Sequence, residues 1–99
     1  MSPGDKVICI DDAKTNPRID LDYQHWVKEG EIYTIRKIYP PSVGSGVLLE
    51  EIVNPPIYIK MLHGKVEPAF SQVRFRKLTK QELALTESIE ETQELESVI

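Results

Sequence analysis

The 99-residue sequence predicts a mainly β fold: a small antiparallel barrel of five or six short strands over residues 1–78, then an acidic tail, helical or flexible, over residues 79–99. Three observations predict it. Up to Leu78, runs rich in β-branched and aromatic residues recur at short spacing between Gly and Pro, which suits half-buried strands joined by tight turns. After Leu78, Gly, Pro and aromatic residues cease and glutamate dominates. A sandwich usually takes about 100 residues, so the shorter β-rich part fits a barrel better.

The first strand is expected from Lys6 to Asp11, because Val7-Ile8-Cys9-Ile10 is a continuous apolar run suited to a strand covered on both faces. Asp11-Asp12 ends it. Residues 13–28 are polar and contain Asn16-Pro17, yet they also hold Leu21, Tyr23, Trp26 and Val27, which predicts a long, partly packed loop. Glu29-Gly30 marks a turn before a strand from Glu31 to Tyr39. Pro40-Pro41 stops that strand, Gly44-Ser45-Gly46 supplies a flexible turn, and Val47 to Val53 returns antiparallel as a hairpin. Asn54-Pro55-Pro56 closes the return. A further strand is expected from Ile57 to Leu62, ended by His63-Gly64, and another from Val66 to Phe70. A tight helical turn at Ser71 to Val73 precedes an edge or closing strand, Arg74 to Leu78, in which apolar and cationic residues alternate. The strands are expected to form one meander.

In the tail, Thr79-Lys80-Gln81-Glu82 matches a capping box, in which the threonine oxygen and the glutamate each satisfy an unpaired amide at a helix start. Leu85, Ile89, Thr92 and Ile99 fall roughly on one helical face, interrupted by Glu96, and Glu87/Glu91 and Glu90/Glu94 set like charges one turn apart. Such a helix is marginal on its own. The net charge of −4 is uneven: residues 1–78 carry 11 Lys and Arg against 10 Asp and Glu, whereas residues 79–99 carry one Lys against six Glu. Net acidity argues against nonspecific nucleic-acid binding by the whole chain but not by the near-neutral module.

The single cysteine, Cys9, has no intramolecular partner, which favours a reducing compartment. No apolar stretch approaches the roughly 20 residues that span a bilayer, and Met1-Ser2-Pro3-Gly4-Asp5-Lys6 lacks the apolar segment of a signal peptide. A soluble cytoplasmic protein without a membrane partner is expected.

Three strings carry a resemblance: Val7-Ile8-Cys9-Ile10-Asp11-Asp12, Gly30-Glu31-Ile32-Tyr33-Thr34-Ile35 and Arg74-Phe75-Arg76-Lys77-Leu78. They resemble small uncharacterised proteins of bacteriophages and prophages. The resemblance spans about Gly4 to Leu78 and implies an SH3-like barrel working in a bacterial or phage-infected cell. It implies no site residues. The Pro55–Pro68 segment is longer than the family pattern, and the acidic tail is additional.

Candidate chemistry is sparse, and no catalytic residue, metal site or cofactor is expected. Asp11-Asp12 and Asp20-Leu21-Asp22 lack the ligand spacing, glycine turn and closing glutamate of a calcium loop, so they read as solvated carboxylates and turn caps. His25 and His63 stand without a zinc-ligand partner and read as surface residues. Cys9 lies in an apolar strand, which disfavours its thiolate, and reads as core. Glu50 and Glu51 are adjacent in a strand and point to opposite faces, so they cannot act on one atom.

Two recognition surfaces remain. Tyr23, Trp26 and Tyr39, beside Pro40-Pro41, are candidates for binding a protein or peptide against aromatic walls. Alternatively, Arg36 and Lys37 with Arg74, Arg76 and Lys77, on two strands that share a face, hold phosphates while Tyr33, Tyr39 or Phe75 stacks on a base. Against each stands a packing role, with aromatics in the core and cations protecting strand edges. The leading expectation is a non-enzymatic module for a protein or peptide, monomeric or dimerised through its tail; the alternative is nucleic-acid binding modulated by that tail.

Overall fold

The computed structural model describes residues 1–86. The fold is mainly β, with six antiparallel strands in two sheets among the described residues. They are β1 (Lys6–Cys9), β2 (Ile32–Ile38), β3 (Val47–Leu49), β4 (Ile57–Ile59), β5 (Gly64–Val66) and β6 (Phe75–Lys77). The larger sheet runs in the order β3-β2-β1-β6, and among the described residues β4 pairs only with β5. The expected single meander is therefore corrected: the last strand returns to the first, and the β4–β5 hairpin stands apart as an arm bracketed by Pro55-Pro56 and Pro68. Proline has no amide to donate, which breaks ladder pairing at both ends of the arm.

Local chemistry explains the strand limits. In β1, Val7 and Cys9 are buried while Lys6 is exposed and Ile8 half-buried on the alternate face, so the strand has one fully covered face rather than two. β3 stops at Leu49, short of the expected Val53. The amide of Glu50 still donates to the Thr34 carbonyl, but the Glu51 carboxylate then accepts from the Thr34 amide and hydroxyl at 2.7 and 2.8 Å. A side chain thus replaces the ladder. The strand expected over Ile57–Leu62 ends at Ile59, because Lys60–Leu62 forms a 3-10 turn closed by His63 at φ 50°. Of the strand expected over Val66–Phe70, Phe70 makes one isolated bridge with Val47, and Pro68 lies between. The 3-10 turn at Gln72–Arg74 and the edge strand β6 follow the sequence expectation closely.

The core gathers Val7, Cys9, Val27, Tyr33, Ile35, Val47, Leu49, Phe70 and Phe75, with Tyr23, Trp26, Ile38 and Ile52 packed against it. Each fully buried large side chain contributes about 1.5–3 kcal/mol. Burial pushes the Cys9 thiol up, as an apolar strand position requires. The long loop contains one helical turn, α1 (Ile19–Asp22), which delivers Tyr23 to the core, where Trp26 and Val27 also pack.

Beyond β6 the capping box forms: Thr79 Oγ1 accepts from the Glu82 amide at 3.1 Å, and Glu82 accepts from the Thr79 amide at 3.0 Å. Helix begins at residue 80. Leu85 is exposed, and the remainder of the expected stripe, Ile89, Thr92 and Ile99, lies outside the described residues. Among the described residues, no helix is long and apolar enough to cross a membrane.

Candidate functional site

Two of the three aromatic candidates, Tyr23 and Tyr39, line one groove. Tyr23 is set by α1, whose last turn closes with the Tyr23 amide donating to the Ile19 carbonyl at 2.9 Å. Tyr39 follows β2 and donates its amide to the Gly46 carbonyl at 2.8 Å. Their hydroxyls then reach the same short segment: Tyr23 donates to the Ala69 carbonyl, and Tyr39 to the Glu67 carbonyl at 2.9 Å. Pro68 sits between those acceptors. The two hydroxyls are thereby held at the carbonyls that flank it, and burial pushes the ionisation of both to higher pH.

Between these rings and the arm lies a groove of about 530 Å³. The arm contributes Ile57, Ile59, Leu62 and Val66 to its lining, and the body contributes Tyr23, Tyr39, Val43 and Phe70. The arm turns Ile57 and Ile59 inward because strand residues alternate, leaving Tyr58 61% exposed on the other side. Gly46 lets the chain pass close to Ala69: a Cβ there would lie 2.6 Å from the Ala69 Cβ. The carboxylates at the groove are Asp22 and Glu67, and both already have cations. Asp22 meets Arg18 at 3.3 Å, and both carboxylate oxygens of Glu67 accept from Arg36 Nη2, at 2.7 and 2.9 Å.

Arg36 is thus an internal anchor. It also donates to the Leu49 carbonyl at 2.9 Å and the Ile52 carbonyl at 3.4 Å. Glu67 accepts in addition from the Asn54 amide at 3.2 Å, and the buried Asn54 side chain pairs with both backbone groups of His25. The base of the arm, β2 and the long loop are tied by this one network. A charge-assisted hydrogen bond between a guanidinium and a carboxylate is among the stronger polar links.

Trp26 does not line the groove. It stands behind Tyr23, ring centroids 4.9 Å apart and edge to face, with its Nε1 donating to the Asp12 carbonyl at 2.8 Å. The Arg74 guanidinium covers it at 4.9 Å from the centroid. Trp26 instead borders a second concavity of about 660 Å³ with Gln24, His25, Tyr33, Glu51, Ile52 and Val53.

The cationic candidates are dispersed. β1 separates β2 from β6, so Arg36 and Lys37 are not neighbours of Arg76 and Lys77. Besides covering Trp26, Arg74 donates to the carbonyls of Asp11 and Ala13 at 3.2 and 2.9 Å. Arg76 is gripped by both oxygens of Glu82 at 2.8 and 3.0 Å, and Lys77 approaches Asp5 at 3.5 Å. Lys37 is exposed, 5.6 Å from the Tyr39 ring centroid. Tyr33 and Phe75, the other stacking candidates, are buried in the core.

The remaining side chains sit as turn and surface groups. Asp11 accepts from the Ala13 amide, Asp12 from the Glu29 amide, and Asp20 from Lys14. His25 and His63 are exposed, as is Glu50, while Glu51 holds Thr34. Among the described residues, no three His, Cys, Asp or Glu side chains are grouped to hold a metal ion.

The arm wall, the Glu67 anchor and Asn54 were not singled out by sequence reasoning. The proline brackets at 55–56 and 68 and the alternation of Ile57 and Ile59 with Tyr58 are the signals that mark the wall. None of the family models, curated proteins or solved structures compared with this chain matches it. The functional reading therefore rests on the geometry.

Proposed function

We propose that the chain is a non-enzymatic binding module, built as a small SH3-like barrel, that recognises a protein or peptide in a phage or prophage setting. The observation that carries this reading is the groove. It offers pinned tyrosine rings opposite aliphatic side chains, and its carboxylates are already paired, so an apolar extended segment enters without stranding a charge. Ring hydroxyls held by Ala69 and Glu67 keep Tyr23 and Tyr39 in place before a ligand arrives, which lowers the ordering cost of binding. The resemblance over Gly4–Leu78 supports the barrel and the phage setting, with the cytoplasm of the bacterial host as its location.

The cationic residues favour nucleic acid less, because Arg36, Arg74, Arg76 and Lys77 already face acceptors of this chain. Glu82 belongs to the acidic tail, and its grip on Arg76 supports a tail that modulates this surface. One experiment separates the two readings. Peptides selected from a displayed random library are titrated into labelled full chain at about 50 and 300 mM salt, beside a single-stranded oligonucleotide. Peptide-induced shifts at Tyr23, Tyr39, Ile57 and Ile59, little changed by salt and weakened about tenfold in Tyr39→Ala, are expected. Shifts at Lys37, Arg76 and Lys77 that vanish with salt would hand the assignment to nucleic acid. Failure of any peptide to move groove residues sinks the peptide reading.

A further inference from the structure

We infer that the arm is a self-association device: two copies of the chain pair antiparallel along the free edge of β4. Among the described residues, β4 hydrogen-bonds only to β5, so the opposite edge of Ile57–Ile59 is open. No side-chain hydrogen bond or ion pair among the described residues ties positions 55–66 to the body. An isolated two-stranded ribbon is at best marginally stable in water, and a third or fourth strand is its usual remedy.

The four outer strands differ in a way that points to β4. β3 is bridged by Phe70, β5 carries Gly64 and the exposed Lys65, and β6 carries Arg76 and Lys77, charges that discourage pairing. β4 reads Ile57-Tyr58-Ile59, uncharged and high in β propensity; Lys60 and then Met61, at 87% exposure, follow in the 3-10 turn.

The second copy, rather than another protein, follows from register. A two-fold axis through Tyr58 sets Tyr58 opposite Tyr58 of the second copy and Ile57 opposite Ile59, so the strand is its own complement. Within each arm Tyr58 lies opposite Lys65, which puts both Lys65 side chains outside the tyrosine pair instead of against each other. The groove-side face then continues as one aliphatic row of Val66, Ile57, and Ile59 of the second copy. This pairing needs no peptide ligand and stands independently of the groove's occupant. A contact of this length is below the usual size of a permanent interface, so the dimer is weak and concentration-dependent.

Sedimentation velocity on the full chain, from about 10 µM to about 1 mM, tests it. The sedimentation coefficient is expected to rise with concentration. Tyr58→Lys, which sets two lysines face to face, is expected to weaken association at least about tenfold. Ile89→Glu with Leu95→Glu, which attacks association through the tail, is expected to leave it unchanged. A monomer at every concentration overturns the inference, as does loss of the dimer in the tail variant but not in Tyr58→Lys. A measurement without substitution guards against a misfolded variant. In a mixture of labelled and unlabelled copies, an intermolecular proton contact between Tyr58 rings is expected, and its absence at high concentration also overturns the pairing.

Discussion

The sheet edge at β6 and the arm edge at β4 are both three-residue strands, yet they present opposite chemistry. β6 sets Arg76 and Lys77 outward, and their charges are held by Glu82 and Asp5. β4 presents Ile-Tyr-Ile with no charge at all. The large sheet buries its inner residues in a core fed by β1, β2, β3 and β6, so its edge has only to avoid wrong partners. The arm buries little of its own and holds to the body through its base. A strand edge whose stability is supplied elsewhere can afford repulsion; one that lacks neighbours gains by leaving the edge open.

The sharpest way to break the contrast is where both regions meet. Phe70 contacts Tyr23, Trp26 and Phe75, bridges to β3 and floors the groove. Phe70→Ala is expected to cost about 3–5 kcal/mol and to lower the urea midpoint of sheet and arm together. Separate transitions would show the two regions to be energetically independent.

A smaller loss is expected when only the anchor is cut. Arg36→Ala leaves Glu67 without its cation and removes the donor to Leu49 and Ile52, at a cost of about 2–3 kcal/mol. Amide exchange in the arm is expected to accelerate more than in β1 or β2. Equal acceleration everywhere would argue that Arg36 stabilises the fold as a whole rather than the arm.

Reversing the edges sharpens the comparison further. Arg76→Val with Lys77→Val removes the charges at β6, and folding stability is expected to change by less than about 1 kcal/mol. Light scattering is expected to reveal larger assemblies, because the chain would then carry two open apolar edges. Unchanged scattering would mean that these charges do not guard the edge.

The smallest effect concerns the tail's hold on β6. Hydrogen bonds from Arg76, then from the Thr79 backbone, lower the Glu82 carboxyl from 4.5 to about 2. A depressed acid stabilises above its unfolded value and loses that contribution as the pH falls through its folded one. Between pH 4.5 and about 2, therefore, the helix start at residues 79–82 is expected to loosen while β1–β2 amides stay in place. Carboxyl resonances followed against pH check it, and a Glu82 midpoint near 4.5 would mean that the Arg76 contact is not kept in solution.

Much of this was legible in the sequence where neighbours in the chain decide the outcome. The β2–β3 hairpin, the capping box of Thr79 and Glu82, the core placement of Cys9 and the cationic edge strand all follow from turn chemistry, side-chain alternation and bonds a few residues long. Tertiary structure alone decided the rest. Arg36 looks like any surface cation until Glu67, 31 positions away, closes on it. Tyr23 and Tyr39 come to line one groove with their hydroxyls held by Ala69 and Glu67, and Trp26 turns away with its indole N–H donating to the Asp12 carbonyl. Local signals set which backbone shapes are affordable. Which distant charge or ring ends up opposite another depends on how the whole chain closes over its core, and no short window of sequence contains that information.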